Sequence, residues 1–319
     1  MRSITVKKND AGQRLDKFLA KSVKGLPMSL MYKFIRTKKI KVGGKRTDGK
    51  YMLSEGDVID LYIKDEFFDS PENDKSALTH IEPKIDVVYE DENIILVNKR
   101  PGVVVHEDKD ARDNTLIMHI QAYLYKKGEY DPTGEQSFAP ALCNRIDRNT
   151  GGIVVAAKNA AALREMNEKI KNNEISKFYL CAVKGIMPKK SDTLTGYLIK
   201  DSATNTVTVY DRKVKDAKNI ITKYRVLAEK NGNSLLEVEL VTGRTHQIRA
   251  HMAHIGHPLL GDGKYGVNRG EKRDGYKYQA LYAYRIRFDF ADDSGLSDTC
   301  AGKRLSLIKR ISGFSPISE

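Results

Sequence analysis

Residues 65–92 cut the sequence into two basic blocks, and that segmentation limits the folds open to it. The stretch holds 10 Asp and Glu against 2 Lys, a net of −8. Residues 1–64 carry 16 Lys and Arg against 6 Asp and Glu, a net of +10. Residues 93–319 carry +11 of the chain's total of +13. A strip of like charge stays solvated and extended, so it reads as a connector and not as a core. Two units are therefore expected: a small one over 1–64 and a large one over 84–319, joined by an acidic linker at 65–83. Both are cationic, which favours an acidic partner: nucleic acid or an anionic membrane surface.

Several classes are disfavoured. No apolar run approaches the length of a membrane span. The segment Met1-Arg2-Ser3-Ile4-Thr5 lacks the apolar core of a signal peptide. Cys143, Cys181 and Cys300 are odd in number, widely spaced and form no Cys-x-x-Cys pair, which fits a reducing, cytoplasmic setting. Cys143 lies four residues before Asp147, but with Leu142 beside it and no adjacent histidine it reads as a packed thiol. No glycine-rich phosphate loop ending in Gly-Lys-Ser/Thr is present. Four of the seven histidines crowd into one segment, at 246, 251, 254 and 257. His251 and His254 share a helix face, yet no Asp, Glu or Cys joins them until Asp262. Hydrogen-bonding histidines are expected there, and no metal.

In the first block, Leu15, Phe18 and Leu19 lie at helical spacing. Pro27 and Ser29 offer a second helix start, with Leu30, Phe34 and Ile35 as its apolar stripe. Lys33, Arg36, Lys38, Lys39 and Lys41 cluster around that helix's end. Gly43-Gly44 signals a hairpin between Ile40-Lys41-Val42 and Lys45-Arg46. Short β-prone stretches follow, ending in Val58–Ile63. Aromatics are sparse, so backbone and shape recognition of a phosphate polymer is favoured over base reading.

In the second block, 85–90 and 94–99 read as a hairpin. A helix is expected from Thr115 to Tyr125, then a Gly/Pro-broken loop at 128–140. Next comes Asn144-Arg145-Ile146-Asp147-Arg148-Asn149-Thr150-Gly151-Gly152, one aspartate between two arginines, running into the β-prone Ile153–Ala157. A carboxylate so placed sits where a polyanion could dock; on spacing alone it also fits a surface ion-pair turn. A helix follows from Asn159 to about Lys171, with Leu163, Met166 and Ile170 on one face. Residues 177–185 and 234–240 are strands. A helix after Thr242-Gly243-Arg244-Thr245 has Thr245 as its N-cap and stops at Gly256 and Pro258. Ile248, Met252 and Ile255 form its stripe, which leaves Arg249 off it.

Residues 12–63 resemble an S4-type RNA-binding domain. The match rests on Arg14–Leu19, on Arg36–Lys45 and on Glu55-Gly56-Asp57-Val58-Ile59. Arg145–Gly152, Lys177-Phe178-Tyr179, Gly243–Arg249 and His257–Asp262 together resemble the RluA-type pseudouridine synthases, in the large-subunit ribosomal RNA branch (RluC/RluD-like) that carries an S4 domain. The resemblance implies an α+β fold: a mixed, largely antiparallel sheet with flanking helices, plus a small S4-like α/β domain. It implies isomerisation of uridines in RNA, by a monomer and without a cofactor. Asp147 would be the essential carboxylate, either attacking C1′ or assisting departure of the base. Arg249 would pair with it, and Tyr179 would stack on the uracil or also take part in the final proton removal from C5. Arg145 would fill the place of the flipped base or hold a phosphate. Arg244 and Lys99 would contact phosphate, as would Arg14, Lys33, Arg36, Lys38, Lys39, Lys41 and Lys45 in the S4-like block. The family usually has His where Asn144 stands and Ser where Gly151 stands.

Three alternatives share these features. A transfer RNA pseudouridine synthase would use the same residues on another substrate. An RNA N-glycosidase would release free uracil. A non-catalytic S4-type ribosome assembly factor would leave RNA unmodified. Lys303, Arg304, Lys309 and Arg310 read as a basic tail, either touching RNA or merely solvated.

Overall fold

The computed structural model describes residues 1–68, 78, 80–106, 114–266, 276–290 and 302–307. Lys309, Arg310 and Cys300 lie outside the described residues, as does most of the acidic linker. The described chain is α+β, with one sheet of three strands and one of eleven. It divides into two compact units. One holds Met1–Lys84, Ile117–Ala141 and Ala157–Leu163, and the other holds Ile85–Leu116, Leu142–Ala156 and Arg164–Glu319.

In the first unit, helices α1 (Leu15–Ser22) and α2 (Met28–Arg36) accompany strands β1 (Arg2–Thr5), β2 (Ile40–Val42) and β3 (Val58–Leu61) in the order β1-β3-β2. Leu15, Phe18 and Leu19 are fully buried, as their spacing predicts. On α2 the buried pair is Met31 and Ile35, with Leu30 and Phe34 only partly covered. Gly43 and Gly44 both have positive φ and make the expected turn. The strand partner differs: β2 pairs with β3 from Ile40↔Leu61 to Val42↔Ile59, while Lys45 makes a single bridge to Val42. Strand β1, which its mixed polarity concealed, pairs with β3 from Arg2↔Leu61.

The acidic strip does not begin as free linker. Asp65–Phe67 forms a short 3₁₀ turn, and Phe67 and Phe68 pack on the core of this unit. The 131–137 stretch is also tied down. Gln13 Nε2 donates to Ser137 Oγ (2.7 Å), Ser137 Oγ to Asp10 (2.6 Å), and Asn9 Nδ2 to Glu135 (2.9 Å).

In the second unit, β4 (Val87–Glu90) and β5 (Ile94–Lys99) form the expected hairpin, with a register shift. The remaining strands are β6 (Ala141–Leu142), β7 (Gly151–Ala157), β8 (Ile175–Lys184), β9 (Ser191–Asp201), β10 (Thr206–Tyr210), β11 (Lys218–Lys230), β12 (Asn233–Leu240), β13 (Leu281–Phe288) and β14 (Arg304–Ser306). The order is β10-β9-β11-β12-β8-β13-β7-β5-β4, with β14 on β13 and β6 on β7. Helix α3 (Leu116–Lys126) falls in the first unit from Ile117, α4 (Ala160–Lys171) is divided after Leu163, and α5 (Gln247–His254) lies in the second unit. Strands β6, β9, β10, β11, β13 and β14 have no counterpart among the strands expected from the sequence. On β9–β11 several exposed positions hold Lys, Glu or Asp, residues of low strand propensity, which weakens the β-prone signal.

All seven residues of β7 are buried. It runs parallel to β13, Tyr282 opposite Gly151 and Ala283 opposite Gly152. Gly152 has φ +115°, and a Cβ there would lie 2.1 Å from the Ala283 carbonyl oxygen. A Cβ on Gly151 would lie 2.5 Å from the Tyr282 ring. The departure at 151 thus has a physical reason, since Tyr282 occupies the space a serine would need. Gly152→Ala must both strain φ and push the strands apart. It should cost about 3 kcal/mol or more of stability, read as a lower urea midpoint.

Candidate active site

The second unit contains a cleft of about 770 Å³ with Asp147 in its wall. Among the described residues lining it, seven are Lys or Arg and one, Asp147, is acidic. A phosphate polymer would find charge complement there.

Asp147 lies in an irregular stretch between β6 and β7, held from both ends. Asn144 Oδ1 accepts the Val155 N–H at 2.8 Å, and the Cys143 N–H donates to the Val155 carbonyl at 2.8 Å. The asparagine thereby ties the stretch to β7. After Asp147, the Thr150 N–H closes a turn on the Asp147 carbonyl at 3.0 Å. The Arg148 carbonyl accepts from the Gly102 N–H (2.9 Å) and from Lys99 Nζ (2.8 Å).

Arg249 reaches the aspartate from α5. Its Nη1 donates to Asp147 Oδ2 at 2.9 Å, and its Nε and Nη2 grip Asp262 at 2.7 and 2.9 Å. The Asp262 side chain has no exposed surface, against 24% for Asp147. Burial pushes the Asp262 carboxyl up, but the Arg249 bonds and the Lys264 and Tyr265 N–H groups outweigh it and hold it below the usual range. Burial likewise works against the Arg249 charge, and the two carboxylates more than restore it.

Tyr179 sits on β8, 5% exposed, in the same cleft wall. On β13, Ala283 pairs with Tyr179 on one side and Gly152 on the other. That sets Tyr179 and the start of β7 two strands apart, roughly 10 Å. Burial first, then the charge of Asp147, pushes the Tyr179 phenol up, so it stays neutral at neutral pH. The structure thus gathers Asp147, Arg249 and Tyr179 around one cavity, with Arg145 and Arg244 exposed at its lining.

Helix α5 is capped differently from the expectation. Its N-cap is His246, at φ 53°, and not Thr245. Gln247 does the organising. Its Oε1 accepts from Thr242 Oγ1 (3.0 Å) and the Arg244 N–H (3.1 Å), and its Nε2 donates to the Ile221 carbonyl and Thr222 Oγ1 (3.1 Å each). The four histidines have separate partners: His246 the Tyr265 hydroxyl, His251 the Thr222 hydroxyl, His254 Asp211, and His257 the Lys184 carbonyl. Cys143, expected packed, is half-buried in the cleft wall.

Residues 93–254, half of the chain, match the model of the RNA pseudouridylate synthase family, and residues 13–59 match the S4 domain. The chain belongs to the RNA pseudouridylate synthase family. It is 33% identical to an uncharacterized RNA pseudouridine synthase of Mycoplasma genitalium, over 89% of this chain and 88% of that protein. It is 29% identical to the ribosomal large subunit pseudouridine synthase C of Vibrio cholerae, over 89% and 88%. The solved structure of human RNA pseudouridylate synthase domain containing 1 superposes with a TM-score of 0.53 at 23% identity, over 66% of this chain and 82% of that one, and shares the fold. The protein is a pseudouridine synthase, an RNA-modifying isomerase with an S4 domain. No helix among the described residues is long and apolar enough to cross a membrane.

In the synthase's S4 part, Lys33, Arg36, Lys38, Lys39 and Lys45 are exposed and Lys41 is half-exposed. Lys39 lies over the Phe34 ring and Lys41 over Tyr62, which keeps both ammonium groups near the surface. Arg14 is engaged by the Asp16 carboxylate. Lys99 requires correction: it is no surface phosphate contact. It is 1% exposed and donates to the carbonyls of Arg100 (3.1 Å), Val103 (2.9 Å) and Arg148 (2.8 Å). From the buried end of β5, it props the Asp147 stretch from behind.

Burial pulls the Lys99 ammonium down to about 8, against the opposing pull of Asp147. The unfolded chain, with an ordinary value of 10.5, therefore holds this proton more tightly than the fold does. Stability rises with pH wherever the unfolded state binds more protons. The wild type should gain on Lys99→Met between about pH 8 and 10.5, with a flat difference below about 7, as read by urea melts.

Proposed function

We propose that the synthase isomerises specific uridines of large-subunit ribosomal RNA, with Asp147 as the essential carboxylate. The observation that carries this is the pairing of Asp147 with Arg249 in a cleft whose other charged lining residues, among those described, are all Lys or Arg. The reaction breaks the C1′–N1 bond, joins C1′ to C5 and moves a proton from C5 to N1. Atoms and electrons balance within the uridine, so no donor or redox partner enters. Asp147 acts at the sugar, and Arg249 orients it and offsets its charge. Tyr179 lies against the uracil and is neutral, a stacking surface.

A stacked uridine exposes neither C1′ nor C5 to a carboxylate in a cleft wall, so the base must turn out of its stack. Arg145, exposed at the cleft lining, takes the vacated place. The ribosomal substrate is supported by the likeness to a protein named for the large ribosomal subunit, over most of both chains. The S4 cations hold the surrounding RNA by its backbone.

Mapping pseudouridine across all RNA of a strain lacking the gene tests this. Large-subunit sites should vanish, return with the wild type and stay absent with Asp147→Asn. A site confined to transfer RNA would overturn the substrate, and a site restored by Asp147→Asn would overturn the role of Asp147. Salt gives a separate measure. Changing Lys33, Arg36, Lys38, Lys39 and Lys41 to Gln should flatten the slope of log affinity against log salt, by roughly 0.7–0.9 for each phosphate no longer neutralised.

A further inference from the structure

Two side chains approach Asp147, and the second has no role so far. His246 Nε2 faces Asp147 Oδ2 at 3.9 Å, beyond hydrogen-bond reach. Its Nδ1 lies 2.8 Å from the Tyr265 hydroxyl. That hydroxyl also accepts the Val207 N–H at 2.9 Å. A phenol has one proton to give. If Tyr265 donates it to Nδ1, every group in this run of bonds is used once. If Nδ1–H donated instead, the phenol oxygen would accept twice and its own proton would have no acceptor among the described residues. An imidazole accepting on Nδ1 carries its proton on Nε2, the atom facing the carboxylate. Burial lowers His246 below the ordinary histidine value; Asp147 and Asp262 oppose this, and Arg249 and Lys264 reinforce it. The neutral ring is therefore the form present near neutral pH.

Tyr265 is itself firmly seated. Its N–H and that of Lys264 donate to Asp262 Oδ1 at 3.2 and 2.9 Å, so the turn that grips Arg249 also carries this tyrosine. Its ring meets His246 edge-on at 5.6 Å and lies under the Arg249 guanidinium at 5.2 Å.

We propose that Tyr265 is a positioning residue that fixes His246 as the Nε2–H tautomer, giving Asp147 a second donor beside Arg249. Both donors address Oδ2. Oδ1 has no partner among the described residues, and it is the oxygen left to act on the sugar. The 3.9 Å gap closes in the RNA complex, as catalytic hydrogen bonds that are long in free enzymes commonly do. This deepens the proposed function and rests on Asp147 as the essential carboxylate.

The tautomer is read directly from the ¹⁵N spectrum of the full-length protein labelled at histidine, with the His246 signals assigned by their loss in His246→Gln. The wild type should show an unprotonated Nδ1 and a protonated Nε2 at His246. Tyr265→Phe keeps the ring contacts and loses the hydroxyl. It should shift His246 towards the Nδ1–H form and lower kcat on unmodified ribosomal RNA ~10-fold with KM little changed. A Gln amide nitrogen stands in for Nε2 and an Asn amide for Nδ1, so His246→Gln should retain more activity than His246→Asn. A wild-type Nδ1–H tautomer overturns the proposal, as does an unchanged tautomer in Tyr265→Phe or a more active His246→Asn. The tautomer is read in the wild type itself, and His246→Gln serves only to assign its signals. Activity persisting in Asp147→Asn would sink the catalytic reading while leaving the tautomer result standing, so the two failures are distinguishable.

Discussion

One guanidinium shared between two carboxylates fixes the rest of the site. Arg249 is 7% exposed, and a buried cation is costly unless it is paired and hydrogen-bonded. Asp262 meets that cost with two bonds, and it has no exposure of its own. The pair is therefore a structural anchor, and Asp147 is the partner added to it. That division explains why α5 is buried nearly all round despite carrying Gln247, Arg249 and His251. Each of these polar side chains has a specific acceptor or donor, so the helix has one rotation that satisfies them all.

A second constraint comes from the sheet. β13 lies between β8, which carries Tyr179, and β7, which follows Asp147. The distance between the aromatic and acidic walls is thus set by strand spacing. Side-chain flexibility hardly enters. Behind the acidic wall, a buried ammonium gathers three carbonyls of an irregular backbone onto one donor group. The irregular stretch that carries Asp147 is braced here by one side chain from a neighbouring strand.

The trio Asp147, Tyr179 and Arg249 was legible because each lies in a short motif of the resemblance. The α-helices were legible because their apolar residues recur at helical spacing. Lys99 was misread because a lysine at a strand end looks solvent-directed, and only the fold reveals three carbonyls converging on it. His246, Gln247 and Asp262 lie inside motifs of the resemblance, which implies no role for them, and no motif includes Tyr265. Many of their partners lie on other elements, and pairing across such separations leaves no local signature. Thr245 failed as a cap because a left-handed residue, His246, starts the helix instead. Strands β9 to β11 were missed because their outward faces are charged, and β1 because it is short and half polar.

The close approach of Gly151 to the Tyr282 ring bears on how such a site drifts in evolution. A serine restored at 151 would collide with the aromatic ring, and a smaller residue at 282 alone would leave a void over the glycine. Neither step is neutral by itself, although the paired exchange fits. The two positions sit on different strands, 131 residues apart in sequence. Sequence comparisons within the family should find the two positions changing together.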